Sequence, residues 1–229
     1  MCNASLDDAR SASETDPSRT VPSLSADEAP PSPAAGTPGE ALTLLMEGNA
    51  RYVANDPRER DFSAGRASRT VGQAPFAAIL GCADSRVSPE LAFDQGPGDL
   101  FVVRLAGNFV TEEGLASLEF GAAVLGTKLI VVLGHTSCGA VNATVTAIQE
   151  GNTLPGHIAD LVRELQPGIE PELAHGGDDL AYRAVVANVR HNVERLKHAK
   201  PILADMVARQ TVRVVGGVYH LATGSVAWV

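Results

Sequence analysis

Three residues of metal-ligand type stand where apolar runs stop. Cys82 follows Phe76-Ala77-Ala78-Ile79-Leu80-Gly81, and His135 follows Leu129-Ile130-Val131-Val132-Leu133-Gly134. Cys138 comes three positions after His135, so one turn can offer a nitrogen and a sulfur to the same ion. Two apolar-flanked cysteines, taken alone, are most simply buried free thiols. Joined by a histidine, they form a set typical of zinc. The mixed donors and the lack of a fourth cysteine point away from copper and from an iron–sulfur cluster. Cys138 also opens a stretch with helical patterning, and a helix N-terminus favours the thiolate that a metal needs. Three protein ligands leave a fourth tetrahedral position, the mark of a catalytic rather than a structural zinc.

Asp84 lies two residues after Cys82, and Arg86 two residues further. Such a pair on a surface contributes little. Beside a metal it has a clearer use. The guanidinium can grip the carboxylate in a fork, keep it ionised and hold it off the ion. The carboxylate can then orient metal-bound solvent, or else ligate the metal itself.

The elements that position these residues follow from the pattern. Phe76 to Gly81, Leu100 to Arg104 and Leu129 to Gly134 are continuous apolar runs rather than alternating ones, which predicts strands of a parallel sheet covered on both faces. In such sheets, sites gather beyond the carboxyl ends of strands, so the ends at Cys82 and His135 are expected to meet. Helices are expected from Thr37-Pro38-Gly39-Glu40 (a capping box) to about Asn55, over Glu112 to Leu125 and over Cys138 to Glu150. Further helices are expected over 157–166, 179–197 and 202–209, with strands over Val212 to Tyr219 and Val226 to Val229. The fold class is α/β: a single domain, 38–229, with a mainly parallel central sheet flanked by helices and a helical arm at its N-terminus. Residues 1–37 hold five prolines, many Ser, Ala and Asp, and no aromatic residue, which predicts a flexible arm.

Composition narrows the function classes. The chain has 229 residues, 45% of them hydrophobic and 20% charged, as in ordinary globular domains. A net charge of -9 leaves no basic stripe for nucleic acid. No apolar run reaches the roughly 18 residues of a membrane span. Three cysteines (Cys2, Cys82 and Cys138) make no disulfide framework, and no C-x-x-C supports a thiol redox role. As written, the sequence reads as cytoplasmic. Cys2 followed by a polar, Pro-rich tether also looks like the start of a mature lipoprotein, which gives export or lipid anchoring as the alternative if a signal peptide has been removed.

Cys82-Ala83-Asp84-Ser85-Arg86-Val87 and His135-Thr136-Ser137-Cys138-Gly139, in that order on two strand ends, resemble the zinc motifs of the beta-class carbonic anhydrases, in their bacterial, plant-like branch. The similarity runs over most of 38–229, including Phe93-Asp94-Gln95-Gly96 and Ala106-Gly107-Asn108. It implies one Zn2+ per subunit on Cys82, His135 and Cys138, with Asp84 and Arg86 as the catalytic dyad and Asp84 as a possible fourth ligand at low pH. It implies reversible hydration of carbon dioxide to bicarbonate by a zinc-bound hydroxide. Gln73 matches a bicarbonate-binding glutamine. Phe101, Ala106 and Phe120 match an apolar carbon dioxide pocket built partly by a neighbouring subunit, and Gly139 matches a substrate-oxygen site at a helix start. The partners implied are carbon dioxide and bicarbonate, with a homodimer or a dimer of dimers.

Two positions depart from the family. Phe120 stands where many members have Tyr. Ile79 stands where some bacterial members have the Trp of an inhibitory bicarbonate site, although Arg104 and Tyr219 match its other residues. The expectation is no strong inhibition of that type. The rival activity is hydrolysis of carbonyl sulfide or carbon disulfide at the same zinc. A non-enzymatic zinc-stabilised module would need a closed four-ligand site and no Asp84–Arg86 dyad.

Overall fold

The computed structural model describes residues 34–62, 66, 68–70, 72–175 and 179–229. The expected arm over 1–37 lies almost wholly outside them. The chain forms α1 (Pro38–Val53), β1 (Ala77–Gly81), α2 (Pro89–Ala92), β2 (Leu100–Arg104), α3 (Glu112–Ala123), β3 (Leu129–His135), α4 (Gly139–Glu150), α5 (Ile158–Leu173), α6 (Leu180–Lys197), α7 (Ile202–Ala208), β4 (Arg213–Tyr219) and β5 (Val226–Trp228). The strands form one sheet in the order β2-β1-β3-β4-β5. All pairs are parallel except β4 with β5.

Alternate residues of the central strands face opposite sides. Ala78, Leu80 and Cys82 enter a core under α3 to α7, where Ile130, Val132, Cys138, Val185 and Val189 meet them. Ala77 and Ile79 enter a second core with Leu45 of α1, Phe93, Val131 and Leu133. Burial on both faces is why β1 and β3 read as unbroken apolar runs. The expected capping box of α1 is present, with Thr37 Oγ1 accepting from Glu40 N–H and Glu40 accepting from Thr37 N–H.

Two element expectations need correction, and two short elements were not expected. Helix α5 runs to Leu173, not to 166, through Pro167 and Pro171. Leu165, Gly168 and Ile169 are buried, and Gly168 brings the helix so close to His191 of α6 that a Cβ there would lie 3.0 Å from its Cβ. Tertiary burial outweighs the local loss of hydrogen bonds. Cys138 is the N-cap of α4 rather than its first helical residue. The short α2 was not foreseen, and neither was the 3-10 turn at Ser68–Thr70.

Candidate metal centre

Register sets the site. Gly81 of β1 is level with Leu133 of β3, so Cys82 and His135 leave adjacent parallel strands at the same edge of the sheet. Thr136 is tied to the end of β4, its N–H donating to Tyr219 O at 2.9 Å and its Oγ1 accepting from Leu221 N–H at 3.0 Å. Ser137 then takes a left-handed conformation, φ 57°, turning the chain so that Cys138 starts α4.

The ligand atoms of Cys82, His135 and Cys138 all lie within 4.8 Å of one another, and all three residues are buried. The two Sγ atoms are 3.9 Å apart. The His135 ring is fully buried, and its Nδ1 stands 2.9 Å from Thr136 O. Donation from Nδ1 to that carbonyl fixes the tautomer and leaves Nε2 with a free lone pair. Nε2 has no hydrogen-bond partner among the described residues. A buried, unpaired ring nitrogen beside two sulfurs is a donor set that fits a metal ion.

Asp84 and Arg86 pair as a fork. Arg86 Nε donates to Asp84 Oδ1 at 2.9 Å and Nη2 to Oδ2 at 2.7 Å, and the Arg86 backbone N–H reaches Oδ1 at 3.0 Å. Arg86 also donates to Ser137 O at 3.3 Å, which links the two ligand-bearing loops. Asp84 Oδ2 stands 3.7 Å from His135 Nε2, on the rim of the site but short of a hydrogen bond.

The electrostatics follow from this packing. The hydrogen bond with Cys138 pulls the Cys82 thiol down to about 4 against its burial, helped by His135 and the Gly107 N–H. The same bond, with burial, pushes Cys138 up, although the N–H groups of Ala140 and Val141 at the start of α4 favour its charged form. The metal-free pair therefore shares one proton. Burial opposes charge on His135, but its contacts with Cys82, Thr136 and Asp84 leave it raised overall. The Arg86 guanidinium holds Asp84 well below the usual carboxylate range.

Two contributors were not read from the sequence as parts of the site. Gly107 N–H donates to Cys82 Sγ at 3.3 Å. Arg104, considered only for the bicarbonate site, donates to the carbonyls of Cys82 (2.9 Å), Asp84 (2.8 Å) and Val87 (2.8 Å), and so fixes the loop that carries the first ligand. Gly107 has φ +87°, and a Cβ there would lie 2.9 Å from Leu165. Only glycine fits, and its place in the Ala106-Gly107-Asn108 segment was the available signal.

Of the remaining expected residues, Ala106 and Gly139 are chain neighbours of this centre, whereas Phe101, Phe120 and Gln73 lie away from it within one protomer. Ala106 is exposed beside Gly107, and Gly139 is exposed at the first position of α4. Phe101 is level with Ala78, four residues before Cys82, or about 13 Å along the strand. Phe120 on α3 is 47% exposed, its ring 6.4 Å from that of Phe101. Gln73 is exposed in the segment entering β1, at the opposite end of the sheet from the cysteines.

Comparison with known proteins agrees with this geometry. The carbonic anhydrase family model matches residues 77–226. A carbonic anhydrase of Mycolicibacterium smegmatis is 41% identical over 190 residues, covering 82% of this chain and 92% of that protein. Carbonic anhydrase 2 of Mycobacterium tuberculosis is 42% identical over 191 residues, covering 82% and 90%. Among solved structures, the Coccomyxa beta-carbonic anhydrase in complex with acetazolamide superposes with a TM-score of 0.66 at 30% identity, over 82% of this chain and 86% of that one. With its mostly parallel sheet and its Cys-His-Cys cluster, the chain belongs to the beta-carbonic anhydrase family.

Proposed function

We propose that Cys82, His135 and Cys138 hold one zinc ion per subunit and that the chain uses it to interconvert carbon dioxide and bicarbonate. Family membership makes carbon dioxide hydration the expected reaction. The observation that carries the zinc assignment is the unpaired, buried His135 Nε2 facing the two sulfurs. The sulfur spacing fits as well. Two thiolates at about 2.3 Å in a tetrahedral shell stand about 3.8 Å apart, against 3.9 Å in the chain. Bound zinc supplies Lewis acidity that makes water nucleophilic near neutral pH.

The chain's own groups do the rest. His135 presents Nε2 because Thr136 O holds Nδ1. Asp84, kept ionised by Arg86, accepts a hydrogen bond from an O–H at the open side and aims that oxygen at the substrate carbon. Arg86 also restrains Asp84 from taking the open position itself.

The apolar residues at the far end of the sheet fit a site completed by a second copy. Strand β2 is an edge strand, only half-buried, with Phe101 on it and the exposed Phe120 and Val124 beside it. A homodimer or dimer of dimers would cover them and bring Gln73, Phe101 and Phe120 to a partner's metal. The bicarbonate-inhibition site is read as absent: Ile79 is fully buried, Arg104 is engaged with three carbonyls, and the Tyr219 hydroxyl lies 3.2 Å from that of Tyr52.

Stopped-flow assays of zinc-loaded protein with carbon dioxide and with carbonyl sulfide test this reading. Carbon dioxide is expected to be the faster substrate, and Asp84→Ala is expected to keep its zinc while losing at least about 100-fold in hydration rate. Preference for carbonyl sulfide, or an Asp84→Ala variant as active as the parent, would overturn it.

A further inference from the structure

A relay of buried amides runs from helix α6 to the sulfur of Cys82. Asn188 and Asn192 lie one turn apart on α6, 1% and 0% exposed. Val110 N–H donates to Asn192 Oδ1 at 2.8 Å. A backbone N–H can only donate, so this contact fixes the Asn192 amide orientation. Asn192 Nδ2 then donates to Asn188 O (2.9 Å) and Oδ1 (3.0 Å). That in turn leaves Asn188 Nδ2 to donate to Gly107 O, at 2.8 Å. Gly107 carries the N–H that reaches Cys82 Sγ.

The relay has no slack. Gly107 is confined by Leu165 of α5 and Ala140 of α4, and α6 lies close enough to β3 that a Cβ on Gly134 would meet Val189 at 2.7 Å. Gly134 immediately precedes His135. Helix α6 is thus referenced to one ligand through β3 and to another through Asn188.

We infer that Asn188 is a positioning residue for the metal: by holding Gly107 it keeps an N–H···S hydrogen bond on the Cys82 thiolate, which lowers the electron donation of that sulfur to the ion. This rests on the metal reading above. A hydrogen bond to a ligating thiolate draws charge from the sulfur and leaves the metal the stronger Lewis acid. Asn188 touches neither metal nor substrate, and its effect passes through Gly107 alone. Burial of two asparagines in an otherwise apolar core costs stability unless every polar atom is satisfied, and here their order ends on a ligand.

The test uses cobalt(II)-substituted protein, whose sulfur-to-cobalt charge-transfer absorption reports the donor strength of the thiolates. Asn188→Leu removes the donor at similar volume, and Asn188→Ser is a milder variant should the first not fold. In either one, the charge-transfer band is expected to move to longer wavelength. Leu203→Ala, which opens a cavity under α7 and touches none of the relay's hydrogen bonds, lowers thermal stability without moving the band. An unshifted band would overturn the inference and leave Asn188 a core residue only. A parent protein that takes up no cobalt would instead overturn the metal reading itself.

Discussion

Cys82 and Cys138 approach within 3.9 Å and share one proton, one thiol depressed to about 4 and the other raised. A metal needs both as thiolates, so its binding must expel the proton that Cys138 retains. Calorimetric titration of metal-free protein with zinc at pH 8, in buffers of different ionisation enthalpy, is expected to show at least one proton released per zinc. Zero release would mean that the cysteines are not the ligands. At this scale the clustering of Cys82, His135 and Cys138 and the Asp84–Arg86 fork were legible because their residue types are chemically distinctive and two of them end apolar runs. Gly107, Asn188 and Asn192 were not. Asn188 stands on α6, far along the chain from Cys82, and an asparagine carries no ligand chemistry that marks it. Only the packing of α6 over β3 brings it to the site.

Between elements, the helix expected over 157–166 falls short of α5, which continues through Pro167 and Pro171 to Leu173. Leu165 and Ile169 gain more from burial against α4 and α6 than those prolines cost locally. The strands were read closely, since burial on both faces leaves an unbroken apolar signature. One joint between elements was invisible in the sequence. Asp94, 4% exposed, pairs with Arg51 of α1 and with Arg60 in the segment that follows. Burial opposes its charge, but the two guanidinium groups and the Arg58 N–H hold it below its ordinary value. A carboxylate depressed in the folded state stabilises above its unfolded pKa of about 3.9, and that contribution is lost as pH falls through the folded value. Asp94→Asn is expected to lower stability at pH 7 by about 2 kcal/mol and to flatten the acid limb of the stability curve. Urea melts from pH 7 to pH 3 measure both. An unchanged acid limb would show that the pairing contributes nothing.

For the whole molecule, the account separates what one protomer completes from what it leaves open. One protomer completes the three-ligand cluster, its rim dyad and the N–H to Cys82. The half-buried β2 edge with Phe101, the exposed Phe120 of α3 and the exposed Gln73 stand away from it, on the surface where a second copy is proposed. No helix among the described residues is long and apolar enough to cross a membrane. The central claim is a catalytic zinc with three protein ligands and one open position. X-ray absorption at the zinc edge of the purified protein tests it most directly. The account predicts one zinc per chain with two sulfurs at about 2.3 Å and one nitrogen plus one oxygen at about 2.0–2.1 Å. A shell of four sulfur and nitrogen donors, or protein that binds no zinc, would contradict it.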